Sequence, residues 1–343
     1  MSDPPPSAAV QIYDILFHLI GMQVVGLIGL VGNIFILFTI SKYKALQTPC
    51  FLLIAGECVC SVFISAGFCV SGAEEAALLA GAMSENRTRI YCYLERTFMA
   101  AWGIQGSSLV TAMVSLDRLI SILSPMKYRR LGKRYAYACL AFCFMYATAA
   151  TLGGMVDNTP EGFAPSDIIP CQTFFSAFTP GYFEYYGTFN LSFCISCVLL
   201  YAAMLITFEW RRRRMAQQTA SSDNATASFM KQQMACMPVI RLMMAVYVVT
   251  AVAPEITVAI AAVSETCSAY MPRMYYYGSV VKGCTPLAEI FALGLGSRQF
   301  RQCVRDMLGK NKTNPVPGQQ SMMATATNVT RATRAFATPV NRL

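Results

Sequence analysis

The chain has 343 residues, of which 55% are hydrophobic and only 13% charged, with a formal net charge of +9. Water-soluble domains carry about twice that charged share, so a chain with mean hydropathy +0.45 does not read as one. Its positive charge sits in short flanks between apolar runs, where anionic lipid accounts for it without nucleic acid as a partner.

Seven runs approach the roughly 20 apolar residues that cross a bilayer: 15–40, 49–72, 98–123, 135–156, 182–208, 238–263 and 274–296. The first has no basic residue before Lys42 and no small-residue cleavage site after it, so it reads as a retained span rather than a signal peptide. It holds the single histidine, His18, which reads as a packed or interfacial side chain. Lys42 and Lys44 follow it, and the second run carries Glu57. The next loop contains the sequon Asn86-Arg87-Thr88, a glycan acceptor if it lies outside the cell. Cys92 precedes the third run, which closes on Asp117-Arg118-Leu119 and is followed by Pro125, Tyr128 and a basic loop.

The fourth and fifth runs are separated by a loop holding Cys171, and the fifth ends in Arg211–Arg214. The sixth carries Pro254 and Glu255; the seventh carries Lys282, Pro286 and Glu289. Residues 296–308, "GSRQFRQCVRDML", place Phe300, Val304 and Leu308 on one face and arginines on another. That pattern suits a short helix lying on a membrane surface. Cys303 within it is a candidate for palmitoylation.

Basic residues cluster after the first, third, fifth and seventh runs, while the opposite loops hold only Arg87, Arg89, Arg96 and Arg273. Positive loops stay in the cytoplasm. The expected architecture is therefore an all-α membrane protein, a seven-transmembrane helix bundle with its N-terminus outside. Its parts are an extracellular N-terminus (1–14), the membrane domain (15–296), an amphipathic cytoplasmic helix (297–308) and a disordered tail (309–343). Cys92 and Cys171 fall outside, where disulfides persist. No cysteine or histidine spacing suggests a metal, nothing calls for a cofactor, and no nucleophile–base pair suggests an enzyme.

Asp117-Arg118-Leu119, Pro125 and Tyr128 at this spacing resemble the Asp-Arg-Tyr region of rhodopsin-like G-protein-coupled receptors. Gly32-Asn33 in the first run, Pro254 and Pro286 are similar to that family's positions. "KALQTPCFLLIAGECVC" with "DRLISILSPMKYRRL" resembles, within it, the nematode serpentine chemoreceptors of the Srsx class. The resemblance implies a plasma-membrane receptor, in a sensory cilium for a chemoreceptor. It would bind an extracellular small molecule or peptide and activate a heterotrimeric G protein. Arg118 would be held at rest by Asp117 and, once freed, meet the G protein and Tyr201. Cys92 and Cys171 would form the disulfide. The ligand cavity would be lined by Ala100, Ile104, Gln105, Tyr185, Tyr186, Glu255, Tyr275 and Ser279.

Departures from the family pattern are Ser61 for a second-helix Asp, Thr285-Pro286-Leu287-Ala288-Glu289 for Asn-Pro-x-x-Tyr, no tryptophan before Pro254, and Met234 in place of an acidic partner for Arg118. With Ser61 there, Lys282 is expected to replace the sodium ion of relatives, paired with Glu57 first and Glu289 second. Two alternatives stand beside the receptor. One is a seven-span transporter or channel with a polar path along Glu57, Glu255, Lys282 and Glu289, although no inverted repeat accompanies it. The other is a receptor-like chain that no longer signals.

Overall fold

The computed structural model describes residues 8–81, 86–128, 130–162, 168–170, 178–217, 241–263, 277–278 and 280–309. Five long helices come first: α1 (Ala8–Lys42), α2 (Pro49–Leu79), α3 (Phe98–Leu123), α4 (Lys133–Gly162) and α5 (Pro180–Gln217). Each contains a stretch long and apolar enough to cross a bilayer. The helices outrun the apolar runs. α1 starts at Ala8 rather than 15, and α5 continues to Gln217 rather than 208, because Arg, Met and Gln sustain a helix beyond the last apolar turn.

The sixth run is helical over 241–247, widens to a π turn at Val248–Val252, and continues as α6 (Ala253–Val263). Pro254 explains the widening. It has no N–H to give the carbonyl of Thr250, and its ring crowds that carbonyl. The seventh run breaks for the same reason. Residues 280–283 are helical, Cys284 is a turn, and α7 (Thr285–Gly296) restarts with Pro286 in its first turn, where a proline costs nothing. The two breaks are joined, since Thr285 Oγ1 donates to Thr250 Oγ1 at 2.9 Å.

α8 (Arg298–Met307) follows, its start fixed by Ser297, whose Oγ accepts the Phe300 N–H at 3.1 Å. One feature departs from an all-α expectation: β1 (Asn86–Thr88) and β2 (Ile168–Pro170) form a two-stranded antiparallel ribbon, with Asn86 opposite Pro170. Three residues per strand are too few to show an alternating pattern.

α3 is the centre of the bundle, touching α2, α4 and α5, while α1 lies against α2 and α7. Some 61% of the apolar stretch of α2 and of α3 is buried, against 22% in α4 and α5. The outer helices therefore turn apolar side chains outward, Ile206 being 70% and Val31 67% exposed, as a lipid-facing surface requires. α2 and α3 meet backbone to backbone. A Cβ on Gly67 would lie 2.9 Å from the Ala100 nitrogen, and one on Gly103 2.8 Å from the Cys60 carbonyl. Glycine permits that approach. Asn33 ties α1 to α7 by donating Nδ2 to the carbonyls of Gly29 (2.9 Å) and Pro286 (3.2 Å). The chain divides into Met1–Arg301, which holds α1 to α7, and Gln302–Leu343.

Candidate functional site

At the end of α3 three polar side chains close on one another. Arg118 donates Nε to Asp117 Oδ2 at 2.9 Å and Nη2 to the Tyr128 hydroxyl at 2.6 Å. Nη2 also forms an ion pair with Asp117, and the Tyr128 hydroxyl donates to Asp117 Oδ2 at 3.0 Å. Adjacent residues on a helix do not normally face each other, but the long arginine stem folds back. Tyr128 reaches the pair from the helical turn Pro125–Tyr128 that follows. Asp117 is fully buried, and Arg118 is 3% and Tyr128 7% exposed. Burial pushes the Tyr128 phenol above its ordinary range; the Arg118 guanidinium pulls against the rise and Asp117 adds to it. Leu119 packs with Ile122, Met204 and Phe208. Tyr201 packs between that cluster and Met244 and Tyr247, and makes no bond to Arg118 in this arrangement.

Nearer the start of α7, a cavity is lined by Ile104, Ser107 and Ser108 of α3, Asn190 and Cys194 of α5, Tyr247 and Glu255, and Lys282 and Thr285. Lys282 and Glu255 form an ion pair whose side chains are only 16% and 11% exposed. This corrects the expected pairing of Lys282 with Glu57 and Glu289. Those carboxylates lie in a second cavity, further along α3 toward Arg118, with Thr111, Ser115 and Met243. There Ser107 donates to Glu57, and Ser61 donates to Glu289 Oε1 at 3.0 Å. Tyr247 and Thr285 line both cavities and stand between them.

The expected ligand residues separate. Ile104 and Glu255 line the first cavity. Ala100 is fully buried against Met22, Ile64 and Phe68 instead. Tyr185 turns toward α4, 3.2 Å from the Tyr146 hydroxyl. Gln105 donates Nε2 to the Tyr182 hydroxyl at 3.2 Å, and Tyr186 is buried in the same aromatic cluster as Tyr182 and Phe178. Tyr275, Ser279, Met234 and Cys171 lie outside the described residues. Cys92 is disulfide-bonded, and the ribbon carries the residue before Cys171, Pro170, to Asn86.

A family model described as serpentine type 7TM GPCR chemoreceptor Srsx matches residues 26–308. The chain belongs to that family. The match takes in every cavity residue and the Asp117–Arg118–Tyr128 cluster, so this Srsx chemoreceptor is a multi-pass membrane protein of the G-protein-coupled receptor type. The rhodopsin of Enteroctopus dofleini is 26% identical to it over 159 residues, 45% of this chain and 34% of that one. The Srsx chain thus spans about a third of that relative's length.

Of the residues lining the first cavity, Ile104 and Glu255 belong to the expected ligand set, whereas Asn190 was not among the expected site residues and Lys282 was assigned elsewhere. A signal for Asn190 was present. Tyr186, Asn190 and Cys194 recur every fourth residue and share one face of α5. A polar amide on that stripe is expensive in a membrane unless it has work to do.

Proposed function

We propose that this chain is a chemosensory receptor that takes an extracellular small molecule in the cavity around Glu255 and Lys282 and activates a heterotrimeric G protein through Arg118. The observation that carries the reading is the closed triad of Asp117, Arg118 and Tyr128 at the end of α3. A nearly dry arginine whose nitrogens bond a carboxylate and a phenol is held away from any partner. Movement of the turn carrying Tyr128, or of the end of α3, would break these bonds. Charge-assisted bonds of this kind are strong enough to hold one state and specific enough to be traded for another.

In this reading the N-terminus and the β1–β2 ribbon lie outside. Asn86 carries glycan, and Cys92 bonds Cys171, for which the pairing of Asn86 with Pro170 is the support. α8 lies on the cytoplasmic surface. The plasma membrane, in a sensory cilium, is the expected location.

The test is guanine-nucleotide exchange by a heterotrimeric G protein in membranes bearing the receptor, with and without Arg118→Ala, at equal surface density. The wild type accelerates exchange and the variant does not. Equal acceleration by both would remove Arg118 from the mechanism.

A further inference from the structure

Taking the first cavity as the receptor's ligand site, a reading on which this step rests, we propose that its ligand is a small zwitterion carrying an ammonium and a carboxylate. The reasoning starts from the ion pair. Lys282 and Glu255 face each other across two proline-broken helices, with little exposure to water. Every ligand that enters must either leave that pair intact or divide it.

A singly charged ligand that takes one member leaves the other buried without a partner, which costs more than the new bond returns. A neutral ligand has nothing to offer either charge that outweighs the pair. A zwitterion restores both bonds at once: its carboxylate takes the Lys282 ammonium, its ammonium takes the Glu255 carboxylate, and the site stays neutral throughout.

A second observation marks the position. Asn190 is 1% exposed and lines the same cavity, and although the Tyr186 hydroxyl lies close by, neither its amide nitrogen nor its amide oxygen makes a hydrogen bond of good geometry. An unmatched buried amide is costly. It offers one donor group and one acceptor, which are what a carboxylate and an ammonium, side by side, respectively accept and donate to.

Size narrows the class. The centre of a water molecule can occupy about 30 Å³ of the cavity, room for roughly two waters at ~10–15 Å³ each. The closed cavity suits a compact molecule, and more space is released when Lys282 and Glu255 part. Amino acids with a short or modest separation between the charges meet these conditions; peptides and large aromatics do not.

The experiment measures thermal unfolding of the purified full-length receptor in nanodiscs. The probes are the twenty standard amino acids and the unbranched ω-amino acids from β-alanine to 6-aminohexanoate, each active probe being repeated as its N-acetyl and methyl-ester forms. At least one zwitterion should raise Tm saturably, and each capped form should bind about a hundredfold more weakly or worse, as loss of one partner from a buried pair implies. The response should vanish in Lys282→Met with Glu255→Leu, which removes both charges together, and weaken in Asn190→Leu. No shift with any zwitterion, or equal shifts with capped forms, overturns the proposal. The readout needs no G protein. Binding without nucleotide exchange would count against the signalling reading and leave this one standing. Exchange driven by other ligands, with no zwitterion bound, would do the reverse.

Discussion

Tyr128 supplies one hydroxyl that serves both members of the Asp117–Arg118 pair. That hydroxyl accepts from Arg118 and donates to Asp117, and the ring itself lies 5.5 Å from the guanidinium carbon. Tyr128→Phe keeps the ring and removes only the hydroxyl. A hydrogen bond to a charged group is worth about 1.5–3 kcal/mol, so the variant should lose stability of that order. It should also raise ligand-independent nucleotide exchange, because Arg118 is held by one partner fewer. The same residue sets a pH limit. Its phenol is raised above the ordinary value of about 10, so the unfolded chain loses that proton first. The stabilisation is complete below about pH 10 and falls as pH rises beyond it through the folded value. The loss seen on raising pH above about 10 should be smaller in Tyr128→Phe, measured by thermal unfolding across that range.

At the scale of elements, the pairing of the sixth and seventh helices decides which carboxylate serves Lys282. Removing one member of a buried ion pair costs about 3–5 kcal/mol, while removing both together can be neutral. Lys282→Met should therefore reduce folded receptor at the cell surface, Glu255→Leu in the same chain should restore it, and Glu57→Leu should not. Restoration by Glu57→Leu instead would point to a different partner. The first five spans were legible because crossing a bilayer demands a long apolar run, and the Asp117–Arg118 hold because its partners are adjacent in sequence. The partner of Lys282 was not. Glu255 lines the cavity expected of it, and the misjudged side chain is Lys282. The turn at Cys284 interrupts the helix before Pro286, so counting back from Pro286 at about 3.6 residues per turn does not fix the face that Lys282 occupies. Asn190 is harder to read for a different reason: a single amide in a long apolar run gains meaning only once the face of α5 that it occupies is known.

For the whole molecule, stability in the membrane comes from α2 and α3 at the centre and from a tether at one end. Cys92 is 2% exposed, disulfide-bonded and packed with Tyr93, Phe178 and Tyr182. Loss of a disulfide typically costs 2–5 kcal/mol. Cys92→Ser should lower both surface expression and Tm. Cys171→Ser should match it, and the double variant should be no worse than either, if the two form one bond. Additive losses, measured by surface labelling, would separate them.

The ion pair between Lys282 and Glu255 has an electrical meaning as well. A cell membrane holds a voltage, and an elementary charge carried fully across it feels about 2.3 kcal/mol for every 100 mV. Lys282 alone would make the helix before Pro286 answer to that voltage, and Glu255 alone would drag the sixth the opposite way. Side by side they sum to zero. A change in membrane voltage then exerts no net pull on the joined pair, and while the two charges stay together the resting arrangement of the receptor is left to chemistry rather than to potential.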